Sequence, residues 1–189
     1  MKSDNYEDKQ YGGFVLRVYI HQDEDMGPPW QEHDGHGKVS DWKSREDKQP
    51  GERPLSSDRG SYRFYDWAGA MKTAKADGWG LSDENKQELA KRKGKPVERL
   101  TTGEITAEAV QRDFEYLQGW AQDEWHWSGY TTEYSRDAGE TWQDGEASVW
   151  GFDDEEYMVG EAFGSLKHEI DTMLKNEAET ALNEPACLI

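Results

Sequence analysis

Several features that would point directly to a function are missing from this sequence. Cysteine occurs once, at Cys187, which excludes an internal disulfide and fits a reducing compartment. No apolar run approaches the 18 residues of a membrane-spanning helix and no signal peptide is evident, so the sequence predicts a cytoplasmic protein. The nucleophile elbow Gly-x-Ser-x-Gly and the glycine-rich phosphate loops are absent as well. We therefore expect a protein that is not an enzyme and has no cofactor.

Basic residues are scarce in the last third of the chain. Residues 123–189 contain 17 Asp and Glu but three Lys and Arg, a net charge of −14. The preceding 122 residues contain 23 acidic and 19 basic side chains, a net charge of −4. A field this uneven repels nucleic acid and anionic membranes and attracts basic surfaces.

The composition is polar but rich in aromatic residues. Hydrophobic residues make up 34% and charged residues 33% of the chain, a balance that favours disorder. The nine Trp, nine Tyr and five Phe favour a folded core, because each buried aromatic side chain removes about 150–250 Å² from water. We predict a single domain at residues 13–182 between a flexible N-terminus (1–12) and a flexible tail (183–189).

Hydrophobic periodicity predicts an α+β fold. Alternation over residues 14–20 indicates a strand, and a second set of strands, a hairpin or small meander, is predicted at 125–152. About four helices cover this small, mainly antiparallel sheet on one face. Their expected starts are Asp66, Ser82 or Asp83, Thr106, and Asp153 or Asp154. The last helix carries one apolar stripe: Val159, Phe163, Leu166, Ile170, Met173 and Leu174.

Residues 22–59 show little periodicity and many Gly, Pro and charged residues. A long loop of this kind is either functional or mobile. We expect it to lack regular structure over most of its length and to be anchored by Trp30 and Trp42.

The same loop contains the one local cluster with metal-ligand chemistry. His33 and His36, with Glu32, Asp34 or Asp41, would supply two imidazoles and a carboxylate. The two His are three apart with Gly35 between them, whereas helical zinc motifs place them four apart. A glycine-rich turn whose Asp34 and His side chains bond the loop backbone also explains the cluster and is the preferred interpretation, so we expect no bound zinc.

The acidic residues of the last third are the candidate partner-binding residues. Carboxylates four apart on a helix are about 6 Å apart, similar to successive phosphates of one nucleic-acid strand. Charge at the start of the last helix is explained by the helix dipole alone, but the other acids have no such local explanation. The candidates are Glu133, Asp137, Glu140, Asp144, Glu146, Asp154, Glu161, Glu169 and Glu177.

Two segments of the chain carry a resemblance to known sequences. The first is Asp25-Met-Gly-Pro-Pro-Trp-Gln-Glu-His-Asp-Gly-His-Gly-Lys-Val-Ser-Asp-Trp42, and the second is Pro50-Gly-Glu-Arg followed by Asp58-Arg-Gly-Ser-Tyr-Arg-Phe-Tyr-Asp-Trp67 and running to Asp77-Gly-Trp79. They resemble a group of small proteins of bacteriophages and prophages of Gram-negative bacteria. The resemblance extends through 109–125 and 148–152. The group has no assigned activity, so the resemblance implies a context only: a phage accessory protein in the host cytoplasm. By analogy of class, small acidic phage proteins are often anti-restriction or anti-CRISPR inhibitors, some of them DNA mimics.

Three hypotheses follow from the sequence. The first is an inhibitor that occupies the basic nucleic-acid-binding surface of a bacterial defence complex by DNA mimicry, without binding nucleic acid or membrane itself. The second is a metal-binding protein or metal-dependent enzyme centred on His33 and His36. The third is a phage accessory protein whose charge serves solubility alone.

Overall fold

The computed structural model of the protein describes residues 5–183, and the chain forms two compact units. The first joins the segment ending at Met26 to the segment beginning at His126, and the second is Gly27–Trp125. The single domain predicted over 13–182 stays a prediction, because these units are defined by their internal packing alone. Of the predicted tail at 183–189, everything after Asn183 lies outside the described residues.

The first unit is built on an antiparallel sheet. Its strands are β1 (Tyr6–Tyr11), β2 (Phe14–Gln22), β6 (Ser128–Ser135) and β7 (Gln143–Phe152), in the order β1-β2-β6-β7. Gly12 and Gly13 form the β1–β2 turn with φ of 56° and 89°, the backbone that a two-residue hairpin requires. A flexible end is predicted for residues 1–12, but residues 6–11 of this segment form β1. The sequence does not indicate this strand, because its side chains are polar and exposed, as is common on edge strands.

A long helix, α5 (Glu155–Asn183), covers one face of this sheet. The predicted stripe is confirmed from Val159 to Ile170, which pack with the alternating residues Phe14, Leu16, Val18 and Ile20 of β2. Leu174 differs, because it is 38% exposed, whereas its neighbour Met173 packs against the core. Burial of this stripe stabilises α5 far more than intrinsic helix propensity does.

The second unit combines a smaller sheet with helices. Strands β3 (Lys43–Ser44), β4 (Glu52–Asp58) and β5 (Ser61–Asp66) lie in the order β3-β5-β4. The helices are α1 (Pro29–Glu32), α2 (Trp67–Asp77), α3 (Asp83–Lys93) and α4 (Thr102–Ala121), with 3₁₀ turns at Arg45–Asp47 and Val97–Arg99. Their core is Leu55, Tyr65, Ala70, Ala74, Val110, Phe114 and Leu117.

The caps predicted for two helices are confirmed, and a third helix begins earlier than expected. Asp66 accepts a hydrogen bond from Gly69 N, and Ser82 Oγ accepts one from Asn85 N. The start of α4 is capped by Thr101, whose hydroxyl pairs with Glu104 in a capping box. The predicted cap, Thr106, is a buried residue inside the helix. The Thr-x-x-Glu pattern at 101–104 is the signal that identifies the true start.

The α+β class with a mainly antiparallel sheet is confirmed. In the loop predicted at 22–59, residues 22–51 have only short regular elements. The remaining part contains β4, an edge strand of the second sheet. Trp30 packs against the core of its unit as predicted, whereas Trp42 is 46% exposed. None of the helices described between residues 5 and 183 is long and apolar enough to cross a membrane.

Candidate functional site: the acidic side of the first unit

The two units differ sharply in charge. By sequence, the first unit has 21 acidic and six basic residues, a net charge of −15, whereas the second has 19 and 16, a net charge of −3. The negative field therefore originates mainly from the first unit, and the candidate partner-binding residues all belong to it.

Glu133 departs from the expectation of a surface carboxylate. It lies on the central strand β6, is 3% exposed, and accepts a hydrogen bond from Tyr19 Oη at 2.9 Å. Strand alternation turns it to the sheet face opposite α5, together with its cross-strand neighbour Arg17. Glu133 is therefore a buried structural residue, and the sequence alone did not distinguish it from its exposed neighbours.

Asp137 organises the turn that joins β6 to β7. Its carboxylate accepts hydrogen bonds from Thr141 Oγ1 at 2.6 Å, Thr141 N at 2.8 Å and Ser135 Oγ at 2.7 Å. These bonds from Thr141 and then Ser135 lower the pKa of Asp137 to about 2. Glu140, in the same turn, is exposed.

Asp144 and Glu146 lie in a wide bulge of β7. Thr131 pairs with Ser148 and Glu133 pairs with Asp144, so that one residue of β6 faces three of β7. Both acidic side chains are exposed. Glu169 Oε2 of α5 accepts a hydrogen bond from Glu146 N at 3.0 Å, which ties the bulge to the helix. Bulges commonly redirect side chains beside functional sites.

The candidate acids of α5 lie in different environments instead of forming one exposed row. Asp154 caps the helix, since its Oδ1 accepts from Tyr157 N at 2.9 Å. Glu161 is exposed, but Glu169 faces β7 and Glu177 pairs with Arg136 at 2.5 Å. Steps of eight residues rotate each successive acid by about 80° around the helix, which carries the later two toward the sheet.

A groove of about 930 Å³ runs between α5 and the β6–β7 side of the sheet. Its walls include Glu146, His168, Glu169, Met173 and Glu177. Glu161 lies one turn before Ser165, which also lines the groove. The fold thus gathers carboxylates along one long concavity of the first unit, with Met173 and Ala147 providing apolar contact area.

A smaller cavity of about 310 Å³ opens at the bulge itself. Tyr19, His21, Glu133 and Asp144 are among its walls. His21 Nε2 lies 2.8 Å from Thr131 Oγ1, and burial lowers the pKa of His21. This position could not be predicted from the sequence, because a lone His on a predicted strand gives no distinguishing signal.

The proposed metal ligands do not converge. His36 Nδ1 donates to Asp113 Oδ1 at 2.6 Å and its ring stacks on Tyr116. Glu32 accepts a hydrogen bond from Gly27 N at 3.1 Å. His33, Asp34 and Asp41 are exposed and do not form a ligand cluster. Over residues 5–183 no group of three or more His, Cys, Asp or Glu is placed to hold a metal ion.

Asp113 explains why the loop folds as it does around His36. Its other oxygen accepts from Gly37 N at 2.8 Å and from Tyr65 Oη at 2.6 Å. Burial and then the bond to Asp113 raise the pKa of Tyr65. A side chain at Gly37 would overlap the Tyr65 ring, so glycine is required at this close approach.

No protein-family model matches the chain, and no curated protein or solved structure is detectably similar to it.

Proposed function

We propose that this protein is an acidic binding protein whose first unit occupies a basic, nucleic-acid-binding surface of a partner. The observation that carries the proposal is the net charge of −15 on this unit, combined with a carboxylate-lined groove between α5 and β7. In line with the resemblance to phage proteins, the partner we propose is a restriction or CRISPR-type defence complex in the bacterial host cytoplasm.

The groove favours a partner that contacts the region between α5 and β7, and not a partner that contacts a row of acids along the outer face of α5. That outer face includes Gly160 and Gly164. Asp144 and Glu146 lie in the β7 bulge, and Glu161 is an exposed residue of α5 one turn before the groove residue Ser165. Lys and Arg side chains of a partner would reach these exposed carboxylates in place of phosphates. Charge complementarity of this kind mainly accelerates association and selects the partner.

Salt dependence follows from the same physics. The Debye length falls from about 10 Å at 0.1 M salt to about 3 Å at 1 M. Inhibition that depends on exposed carboxylates should therefore weaken steeply as salt rises, and the association rate should fall more than the dissociation rate rises.

The test uses the full chain as a competitor. Candidate restriction and CRISPR complexes are bound to their cognate DNA, and release of DNA is measured as the protein is added. The triple reversal D144K/E146K/E161K should abolish competition. The matched control is E46K/D77K/E98K, which makes the same change in net charge on exposed residues of the second unit.

The two triple variants separate local from global electrostatics. Competition lost in the first and retained in the second supports the groove. Equal loss in both indicates that net charge alone is responsible, and undiminished competition by the groove variant contradicts the proposal. Thermal unfolding of both variants verifies that the fold is intact.

A further inference from the structure

The second unit contains a cavity walled by tryptophan. Trp30, Trp42 and Trp120 line a space of about 410 Å³, together with the polar residues Ser56, Ser57, Asp58 and Arg63. The Asp58 side chain is 71% exposed to solvent. Trp30 and Trp120 meet edge to face with ring centroids 5.4 Å apart. Trp42 is 46% exposed, although burying an indole is strongly favourable. An exposed indole on a concave wall offers a flat apolar face to a ligand.

Arg63 gives this cavity a polar element. Its guanidinium carbon lies 5.3 Å from the Trp30 ring centroid and 5.0 Å from that of Trp42. Other arginines of the chain, including Arg17, Arg92, Arg112 and Arg136, form ion pairs with carboxylates. Within residues 5–183 no carboxylate pairs with Arg63 and no side-chain hydrogen bond engages its guanidinium. Five N–H donors are therefore available beside the indoles.

These groups define the chemistry of the ligand. A cation is disfavoured, because Arg63 already occupies the electron-rich faces of Trp30 and Trp42. A neutral sugar would stack on an indole but leave the guanidinium without an acceptor. An anion joined to a planar ring satisfies both, since guanidinium binds phosphate in a bidentate fashion and indole stacks on nucleobases.

We propose that this cavity is a binding site for a free mononucleotide. The base stacks on Trp42, the phosphate pairs with Arg63, and a hydroxyl of the wall residues Ser56 or Ser57 bonds the sugar. The volume lies within the range of small-molecule sites, about 300–1,000 Å³. The second unit carries a net charge of −3 against −15 for the first, so the field of the unit as a whole opposes an anion only weakly. At the cavity itself the attraction of Arg63 for a phosphate has to exceed the repulsion from Asp58 on the same wall.

Calorimetric titration of the full chain with AMP, adenosine and ribose 5-phosphate tests the site. AMP is expected to bind, with adenosine and ribose 5-phosphate each at least about tenfold weaker, because each lacks one of the two recognised groups. AMP that fails to bind at millimolar concentration overturns the proposal. So does a short oligodeoxyadenylate that binds more tightly than AMP, since the site would then belong to a nucleic-acid strand.

Variants assign the contacts. R63Q should reduce the affinity for AMP to that for adenosine and leave adenosine unchanged, whereas W42A should weaken both. The control is R59Q, which removes the same charge from a side chain that is 93% exposed in the neighbouring turn. Equal losses in R63Q and R59Q overturn the assignment. If R63Q folds poorly, R63K replaces it, because lysine keeps the charge without the planar fork of the guanidinium. The affinity of R63K for AMP should lie between that of the parent protein for AMP and that for adenosine.

Discussion

At the residue scale, the Asp113 carboxylate joins three separate parts of the second unit. It accepts hydrogen bonds from the His36 ring, the Gly37 amide and the Tyr65 hydroxyl. Asp113→Ala leaves these donors without their acceptor, and each buried donor left unsatisfied costs about 1–3 kcal/mol. We expect D113A to lower the free energy of unfolding by at least this amount in urea denaturation.

The matched control lies on the same helix. Glu115 is exposed, and E115A should change the free energy of unfolding by less than about 0.5 kcal/mol. His36→Ala should cost less than D113A, because it removes one of the three donors and leaves the other two bonded. A cost for H36A that equals that of D113A would show that His36 alone anchors the loop.

Glu104 gives a residue-scale prediction for acid pH. The hydrogen bond from Lys95 and then those from Thr101 lower the pKa of Glu104 from an ordinary 4.5 to about 2. A lowered pKa means that the contribution to stability is complete above pH 4.5 and is lost as the pH falls toward 2. Carbon-13 titration should place the Glu104 carboxyl near 2 and, in K95M, closer to 4.5. An unchanged pKa in K95M would contradict the ion pair as the main cause.

At the element scale, the bulge of β7 depends on Gly145. A Cβ at this position would overlap Thr132 Oγ1 and approach Leu166 Cδ1 at 3.1 Å, so G145A must displace the Thr132 side chain, which bonds Ala147 O, and crowd Leu166 of α5. The solvent side of α5 provides the contrast, because a Cβ at Gly164 meets no atom within 4 Å. G164A should stabilise the protein by roughly 0.5–1 kcal/mol through helix propensity, whereas G145A should lower the melting temperature.

The comparison of these two alanine variants is internally controlled. Both add one methyl group to the same unit, and differential scanning calorimetry measures both. A G145A melting temperature equal to or above that of the parent would show that the bulge tolerates a side chain and that its shape is not fixed by this contact.

Whether a helix or strand can be predicted from the sequence depends on whether its own residues or its contacts with distant residues specify it. The stripe of α5 and the caps Asp66 and Ser82 are local signals, and the sequence predicts them correctly. Strand β1 has no apolar face, because its pairing with β2 comes from backbone hydrogen bonds at a sheet edge, which leave no side-chain pattern. Strand β4 was missed for a related reason, since its sequence Glu-Arg-Pro-Leu-Ser-Ser-Asp buries Leu55 but little else.

The candidate site was predictable in charge but not in geometry. Counting carboxylates identified the acidic part of the chain without structural information. Burial of Glu133, the turn role of Asp137 and the Arg136–Glu177 pair depend on contacts between residues distant in sequence. The same holds for Arg63 and Trp42, whose proximity arises from the pairing of β3 with β5.

At the scale of the whole molecule, the uneven charge of the two units has a consequence for stability. Like charges within a compact body repel one another and destabilise it, and added salt screens that repulsion. The first unit, with a net charge of −15, should therefore gain stability between low salt and about 0.15 M NaCl, whereas the second, at −3, should change little. Local ion pairs such as Lys95–Glu104 would lose strength over the same range, which opposes any gain in the second unit.

Native-state hydrogen exchange measures the two units in one experiment, because it reports local and global opening residue by residue. Slowly exchanging amides of β2 and β6 report on the first unit, and those of β5 and α4 report on the second. NaCl should increase protection in the first set selectively. Sucrose is the control, since an excluded osmolyte favours the compact state without screening charge and should raise protection in both sets. An equal increase in protection in both sets would contradict this expectation. It would mean that the carboxylates of the first unit are too far apart to repel one another. Carboxylates that far apart would also attract a basic partner only weakly, and the proposed function depends on that attraction.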